Sequence, residues 1–146
     1  MAPKSAGSSP ASPSIPYNTN SYVANHFNIL NSKKLPRITI VYTSKSIRLV
    51  RALYSSGILQ GFIVHNVDNK KHITFNTQYY RGVPYFSHFR VVSTPSKAQT
   101  ISLKALRVAV KSIGKSLILL ETDKGIISHI DALNYSIGGR ILGIIS

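Results

Sequence analysis

Two carboxylates and a basic residue stand together near the end of the chain, in the run Glu121-Thr122-Asp123-Lys124-Gly125. On a strand, Glu121 and Asp123 would point to the same face, as a pair of catalytic carboxylates must. Nothing else in the sequence completes such a site, because the five histidines are dispersed and no glycine-rich loop opens a helix. We therefore predict that the chain is not an enzyme, has no catalytic or metal-binding residues, and needs no cofactor or small-molecule substrate.

The elements around this run can be predicted from local pattern. Residues 117–120 are continuously apolar, which is typical of a buried strand, and residues 123–125 have the composition of a turn. Ser128 stands three residues before Asp131, which predicts a helix capped by Ser128 and beginning at about His129. Gly138 is expected to end that helix.

The charge of the chain indicates the class of partner. It has 18 Lys and Arg against 4 Asp and Glu, a formal charge of +14, and no acidic residue precedes Asp68. Such a chain is expected to bind nucleic acid, since neutralising phosphates releases counterions. No apolar run approaches the roughly 20 residues that span a bilayer, and scattered basic residues fit folded RNA better than a lipid surface. With no cysteine, disulfides and thiolate metal sites are excluded.

The first 95 residues suggest an extension followed by a small module. Residues 1–20 contain four prolines and are rich in Ser and Ala, so we predict a low-complexity extension. Helices are predicted over residues 22–31 and from a Ser44 cap to about residue 55, with a strand over residues 37–42 between them. Further strands are predicted over residues 58–66, 72–80 and 83–92, and these three are expected to form one antiparallel sheet. The second helix should bury Ile47, Val50, Leu53 and Tyr54 and turn Lys45, Arg48 and Arg51 outward.

The predicted fold class is therefore α+β, built from two small modules. Residues 21–95 should form helices packed on a three-stranded antiparallel sheet. Residues 96–146 should form a mostly β module with one or two short helices, one of them carrying Leu103, Leu106 and Val110 on its inner face.

The order of several short motifs resembles the small-subunit ribosomal protein eight family. These motifs are Thr43-Ser44-Lys45, Ser56-Gly57-Ile58-Leu59, Gln78-Tyr79-Tyr80, Arg90-Val91-Val92-Ser93-Thr94-Pro95, Thr122-Asp123-Lys124-Gly125 and Gly138-Gly139. The resemblance covers about residues 21–146. It implies a structural constituent of the small ribosomal subunit that binds the central domain of small-subunit ribosomal RNA, supports assembly, and contacts neighbouring small-subunit proteins.

The resemblance and the charge together nominate the RNA-binding residues. They are Ser44, Lys45, Arg48, Ser93, Pro95, Lys97, Thr122, Lys124, Gly125, Gly138, Gly139 and Arg140. The glycine pair is expected to let the backbone approach RNA, so that Gly139→Val would lose binding while the isolated fold survives.

Some of these positions depart from the pattern of the family. Glu121 and Asp123 stand where serines are usual, Arg140 stands where bacterial members have a glutamate, and Thr94 and Ser96 replace an arginine and a glycine. Lys97 is therefore expected to take over a phosphate contact.

Two alternatives and the compartment stay open at this stage. The same charge would suit an RNA-binding regulator outside the ribosome, and an enzyme acting on RNA is a third reading. Divergence from the bacterial pattern, the low-acid extension and the richness in Ile, Asn, Ser and Lys favour a mitochondrial ribosome, with a plastid or cytoplasmic ribosome as the alternative.

Overall fold

A computed structural model describes residues 18–94 and 96–146. Its helices are α1 Thr19–Ser32, α2 Ser44–Ser55, α3 Leu103–Ala109 and α4 His129–Tyr135. Its strands are β1 Ile38–Val41, β2 Leu59–Val67, β3 Lys70–Thr77, β4 Tyr79–Tyr80, β5 Val83–Pro84, β6 Phe89–Val91, β7 Thr100–Ile101, β8 Leu117–Thr122, β9 Gly125–Ser128 and β10 Gly139–Ile145. The predicted α+β class is confirmed.

The N-terminal sheet has three antiparallel strands in the order β1-β3-β2. Strands β2 and β3 form a hairpin whose turn residues, Asp68 and Asn69, both have positive φ, 52° and 65°. This conformation matches the right-handed twist of the paired strands, and Asp and Asn tolerate it well. Helices α1 and α2 pack beside the sheet, and Phe27, Leu53 and Phe75 are almost wholly buried in the core.

The C-terminal sheet has the order β6-β10-β8-β9, and β7 pairs with the other end of β10. Helices α3 and α4 cover it through a small apolar cluster that contains Leu106, Leu120 and Ala132. The alternation of side chains along β8 explains the arrangement, because Leu119 belongs to the larger core while Ile118 and Leu120 belong to this cluster.

The larger core joins the two sheets. It contains Phe27 of α1 and Phe75 of β3 together with Leu119 and Leu142 of the C-terminal sheet. The side chain of Asn28 adds a polar connection, since it donates to the Phe89 carbonyl oxygen at 3.0 Å and accepts from the Phe89 N–H at 2.7 Å. The division into modules at about residue 95 stays a prediction.

The strand predicted over residues 83–92 is wrong as the third strand of the N-terminal sheet. Its start, Val83–Pro84, pairs with Tyr79–Tyr80 and with no other strand of the described residues, and its end, Phe89–Val91, pairs with β10. The third strand is instead β1, which pairs with β3. Single strands were found from alternation, but the partner of each strand is decided by the tertiary core.

Three local predictions also need correction. The first helix begins at Thr19, before the predicted residue 22. The cap of α2 is Thr43, which forms a reciprocal capping box with Ser46, and Ser44 is the first helical residue. Tyr54 is 50% exposed, and Leu49 is buried in its place. Most of the predicted extension, residues 1–17, lies outside the described residues.

Candidate nucleic-acid interface

An open depression of ≈ 590 Å³ lies where the turn between β8 and β9 meets the start of β10. We call it the C-terminal depression; its lining residues are Glu121, Thr122, Asp123, Lys124, Ile137, Gly138, Gly139 and Arg140. The antiparallel pairing of β10 with β8, which sets Arg140 opposite Glu121, brings the two segments together. Five of the predicted RNA-binding residues therefore share one surface.

The turn at the rim of the depression is closed by a hydroxyl. The Oγ1 of Thr122 donates to the Gly125 carbonyl oxygen at 3.0 Å and accepts from the Lys124 N–H at 3.1 Å. Gly125 has φ +95°, a conformation that strains a residue with a Cβ. The ammonium of Lys124 is exposed and lies 4.9 Å from the centre of the Tyr135 ring. The turn thus holds the lysine backbone while its charge faces outward.

The two glycines at the base of the depression are required by the fold itself. A Cβ at Gly138 would clash with the carbonyl oxygen of Ile101, and one at Gly139 would lie 2.7 Å from the carbonyl oxygen of Glu121. Gly138 does not end α4, because the helix stops at a left-handed Ser136 with φ 56° and ψ 47°. The expectation that Gly139→Val would spare the isolated fold is therefore wrong.

Arg140 connects the depression to the loop that precedes β7. Its Nη2 donates to the Thr94 carbonyl oxygen at 3.2 Å, and its Nε lies 3.9 Å from the Glu121 carboxylate. A third of each side chain is exposed, 37% for Arg140 and 36% for Glu121. Arg140 is consequently held in place by two neighbours, one of them an acid that the family pattern does not usually have there.

The loop itself gives its predicted residues different settings. Ser93 is buried, and its Oγ accepts from the Gln99 N–H at 2.8 Å, so its hydroxyl shapes the loop. Lys97 is exposed, and its backbone exchanges two 3.1 Å hydrogen bonds with Thr94. Pro95 lies outside the described residues.

Helix α2 carries the second set of predicted residues. Ser44, Lys45 and Arg48 are exposed on it, as is Arg51 one turn further on. The helix also contacts β9, the strand that follows the turn at the rim of the depression. We call the exposed side of Ser44, Lys45, Arg48 and Arg51 the α2 basic face.

Residues 23–145 match the ribosomal protein S8 family. The chain belongs to this family. It is 26% identical over 111 residues to small ribosomal subunit protein uS8 of Brucella melitensis, and the aligned residues cover 75% of this chain and 83% of that protein. It is 28% identical over 110 residues to the uS8 protein of Legionella pneumophila, and the aligned residues cover 75% of this chain and 82% of that protein.

Membership of the S8 family confirms the resemblance found in the sequence. The chain is a ribosomal protein of a small-subunit family and not an enzyme. Among the described residues, no group of three His, Asp or Glu side chains could hold a metal ion. No helix within residues 18–94 and 96–146 is long and apolar enough to cross a membrane.

The depression of this S8-family chain carries no net formal charge in its lining. Glu121 and Asp123 offset Lys124 and Arg140. Outside it the surface is strongly basic, since every described Lys and Arg except Arg140 is exposed. The lining is therefore suited to hydrogen bonding, and the surrounding lysines and arginines supply the attraction for a polyanion.

Sequence reasoning missed two contacts that α4 makes with the segment from β8 to the turn before β9. The exposed Tyr135 ring lies 4.9 Å from the Lys124 ammonium, and His129 is 8% exposed, with its Nδ1 accepting from the Ile118 N–H at 3.1 Å. Burial lowers the pKa of His129 from 6.5, which favours the neutral ring that this bond requires. The apolar run of β8 and the Ser128 cap are the only local signals near them, and neither reveals these contacts.

Proposed function

We propose that this chain is a structural constituent of the small ribosomal subunit that binds the central domain of small-subunit ribosomal RNA and supports its assembly. Membership of the S8 family and the formal charge of +14 support the class of partner. The observation that carries the proposal is the C-terminal depression, in which Thr122, Lys124 and residues 138–140 come together.

The residues of the depression have different tasks in this proposal. Lys124 is exposed and makes a phosphate contact as a point charge. Arg140 donates to Thr94 and lies beside Glu121, and the guanidinium N–H donors that these two neighbours leave over are assigned to the RNA. The backbone around Gly138 and Gly139, with no side chain over it, leaves room for a sugar or a base edge.

The α2 basic face and Lys97 contact RNA phosphates outside the C-terminal depression. Lys45 and Arg48 are exposed at the start of α2, one turn apart, and can reach successive phosphates. Ser44 lies in the first turn of the same helix, where N–H groups favour an anion. We assign Ser93 to holding the loop and not to direct contact, because its side chain is buried.

The test is the salt dependence of binding to a transcript of the small-subunit central domain. If Lys124 meets one phosphate, Lys124→Ala should weaken binding and reduce the slope of log K against log salt by about one unit. The matched control is Lys111→Ala, which removes an exposed lysine that lies beyond the end of α3 and outside the lining of the depression. Equal slopes for the Lys124→Ala variant and the unsubstituted chain, with folding intact, would contradict the role of Lys124.

A second measurement separates a ribosomal constituent from an RNA-binding regulator. A constituent should co-sediment with small subunits after a high-salt wash, whereas a regulator should be released into the soluble fraction. Complete release would refute the structural role while leaving RNA binding open to the slope experiment.

We further propose that the ribosome concerned is mitochondrial. Identities of 26% and 28% to bacterial uS8 proteins, together with the acid-free extension in residues 1–20, support an organellar member. Fractionation with antibody detection should find the chain with mitochondrial small subunits; recovery with plastid or cytoplasmic subunits would overturn this assignment.

A further inference from the structure

A small hairpin with three exposed tyrosines lies between the two sheets in the chain. Strands β4 and β5 pair only with each other within the described residues, and the tip residues Arg81 and Gly82 have positive φ, 53° and 83°. Tyr79 is 41% exposed, Tyr80 55% and Tyr85 41%. Two-residue strands stabilise little by themselves, so these exposed rings are not explained by the stability of the hairpin.

The tyrosine rings are arranged with cations beside them. The rings of Tyr80 and Tyr85 meet edge to face with centres 6.1 Å apart. The Arg81 guanidinium lies 5.2 Å from the centre of the Tyr80 ring, and the Lys115 ammonium lies 5.1 Å from that of Tyr85. Lys115 also donates to the Tyr85 carbonyl oxygen at 3.1 Å, which attaches the hairpin to the loop before β8.

Among the described residues, neither Arg81 nor Lys115 forms an ion pair with a carboxylate, and residues 69–120 contain neither Asp nor Glu. The hairpin therefore offers ring faces and positive charge together. Unpaired RNA bases stack on aromatic side chains, and Arg and Lys beside them meet the flanking phosphates. Tyr and Arg are also common in protein interfaces, but a protein surface would have to bring acidic groups to match this charge.

We propose that the hairpin, with Tyr79, Tyr80, Arg81, Tyr85 and Lys115, is a second RNA contact that stacks one or two unpaired bases of the small-subunit RNA. The depression and the α2 basic face contact the RNA backbone and base edges, whereas the hairpin stacks on bases that are unpaired. The proposal rests on the proposed RNA-binding function and adds a separate site to it.

The chain contains no tryptophan, so Tyr80→Trp introduces a single fluorophore at the hairpin. Its emission should be quenched strongly when the full-length variant binds the central-domain transcript, because the indole stacks on a base. Ile63→Trp is the matched control, since Ile63 is also exposed, at 62%, but lies on strand β2 and belongs to neither the α2 basic face nor the C-terminal depression. Its emission should change little.

Affinity provides the second readout. Tyr80→Leu with Tyr85→Leu should weaken binding by about ten-fold for each base that stacks, whereas Tyr80→Phe with Tyr85→Phe keeps both rings and should bind within about two-fold of the unsubstituted chain. The thermal midpoint of each variant is measured first. If the leucine pair unfolds, the quenching of Tyr80→Trp still decides the question.

The outcomes separate this proposal from the proposed function. An unquenched Tyr80→Trp protein that binds the transcript with its normal salt slope would overturn the hairpin site alone. Normal RNA affinity of the leucine pair, combined with loss from assembled small subunits, would assign the hairpin to a protein neighbour and also overturn it. Failure of the unsubstituted chain to bind the transcript would overturn both.

Discussion

The α2 basic face and the C-terminal depression are built by opposite means. The α2 basic face is local: Thr43 and Ser46 cap the helix, and Lys45 and Arg48 project from a finished element. The depression is assembled from distant segments, since Arg140 bonds to the carbonyl of Thr94, 46 residues earlier. Substitutions of the basic residues on α2 should therefore change charge alone, whereas those of Gly139 and Arg140 in the depression should change the fold and the RNA contact together.

The largest expected effect that tests this comparison is steric. Gly139→Ala places a Cβ 2.7 Å from the carbonyl oxygen of Glu121 and 2.8 Å from Cγ2 of Thr122. Because one of these neighbours is strand backbone, we expect a loss of about 3 kcal/mol in the free energy of unfolding, the upper part of the range for overpacking. Chemical denaturation of the isolated protein measures it.

Gly57→Asn is the control for this experiment. Gly57 has φ +82°, and a Cβ at this position would have no heavy atom within 4 Å, so only backbone strain of about 1 kcal/mol should appear. Should Gly139→Ala prove as stable as the unsubstituted chain, the glycine pair would have to be explained by RNA approach after all.

Removing one positive charge from each surface, with Arg140→Ala in the depression and Arg48→Ala on α2, tests whether only the depression depends on distant contacts. Arg140→Ala removes the hydrogen bond to Thr94 and the ion pair with Glu121, and should cost about 1 kcal/mol, since both interactions are partly exposed. Arg48→Ala should leave stability within about 0.5 kcal/mol, because it changes only an exposed charge. Chemical denaturation measures both changes in the free energy of unfolding. For Arg48→Ala, the salt slope of transcript binding should also fall by about one unit.

The comparison holds only if Arg140→Ala lowers the free energy of unfolding more than Arg48→Ala does. Identical stability losses would mean that α2 also depends on distant contacts of Arg48. An unchanged stability for Arg140→Ala would mean that the loop before β7 is held without it, for example by the 2.7 Å bond from the Ile141 N–H to the Gln99 carbonyl oxygen.

The sequence was sufficient for features that depend on near neighbours. The start of α4 after Ser128, the turn at Gly125 and the outward positions of Lys45, Arg48 and Arg51 all follow from capping, turn chemistry and helical period. The lining of the depression was also anticipated in large part, because ordered family motifs carry information that single residues lack.

What could not be predicted depends on long-range pairing. Alternation suggested one strand over residues 83–92, but the chain is divided between the tyrosine hairpin and a strand paired with β10. The end of α4 was placed at Gly138 because glycine is the usual residue there, whereas Ser136 adopts the left-handed conformation and Gly138 is needed against Ile101. Neither choice has a signal in the residues next to it.

The smallest expected effect concerns His129, the first residue of α4, which bonds to β8 of the C-terminal sheet. Burial lowers its pKa from 6.5, and its Nδ1 accepts a hydrogen bond from the Ile118 N–H only when that nitrogen is unprotonated. As the pH falls below about 6.5, the unfolded chain binds a proton that the folded chain resists, so stability should decline until the lower folded pKa is reached.

His129→Asn isolates this effect, because it keeps an acceptor near the Nδ1 position but does not titrate. Thermal midpoints compared between about pH 7.5 and about pH 5.5 should therefore fall more for the unsubstituted chain than for the variant. The other histidines and the carboxylates contribute equally to both proteins and cancel in the difference. Parallel pH profiles would show that protonation of His129 does not change the stability of the C-terminal sheet.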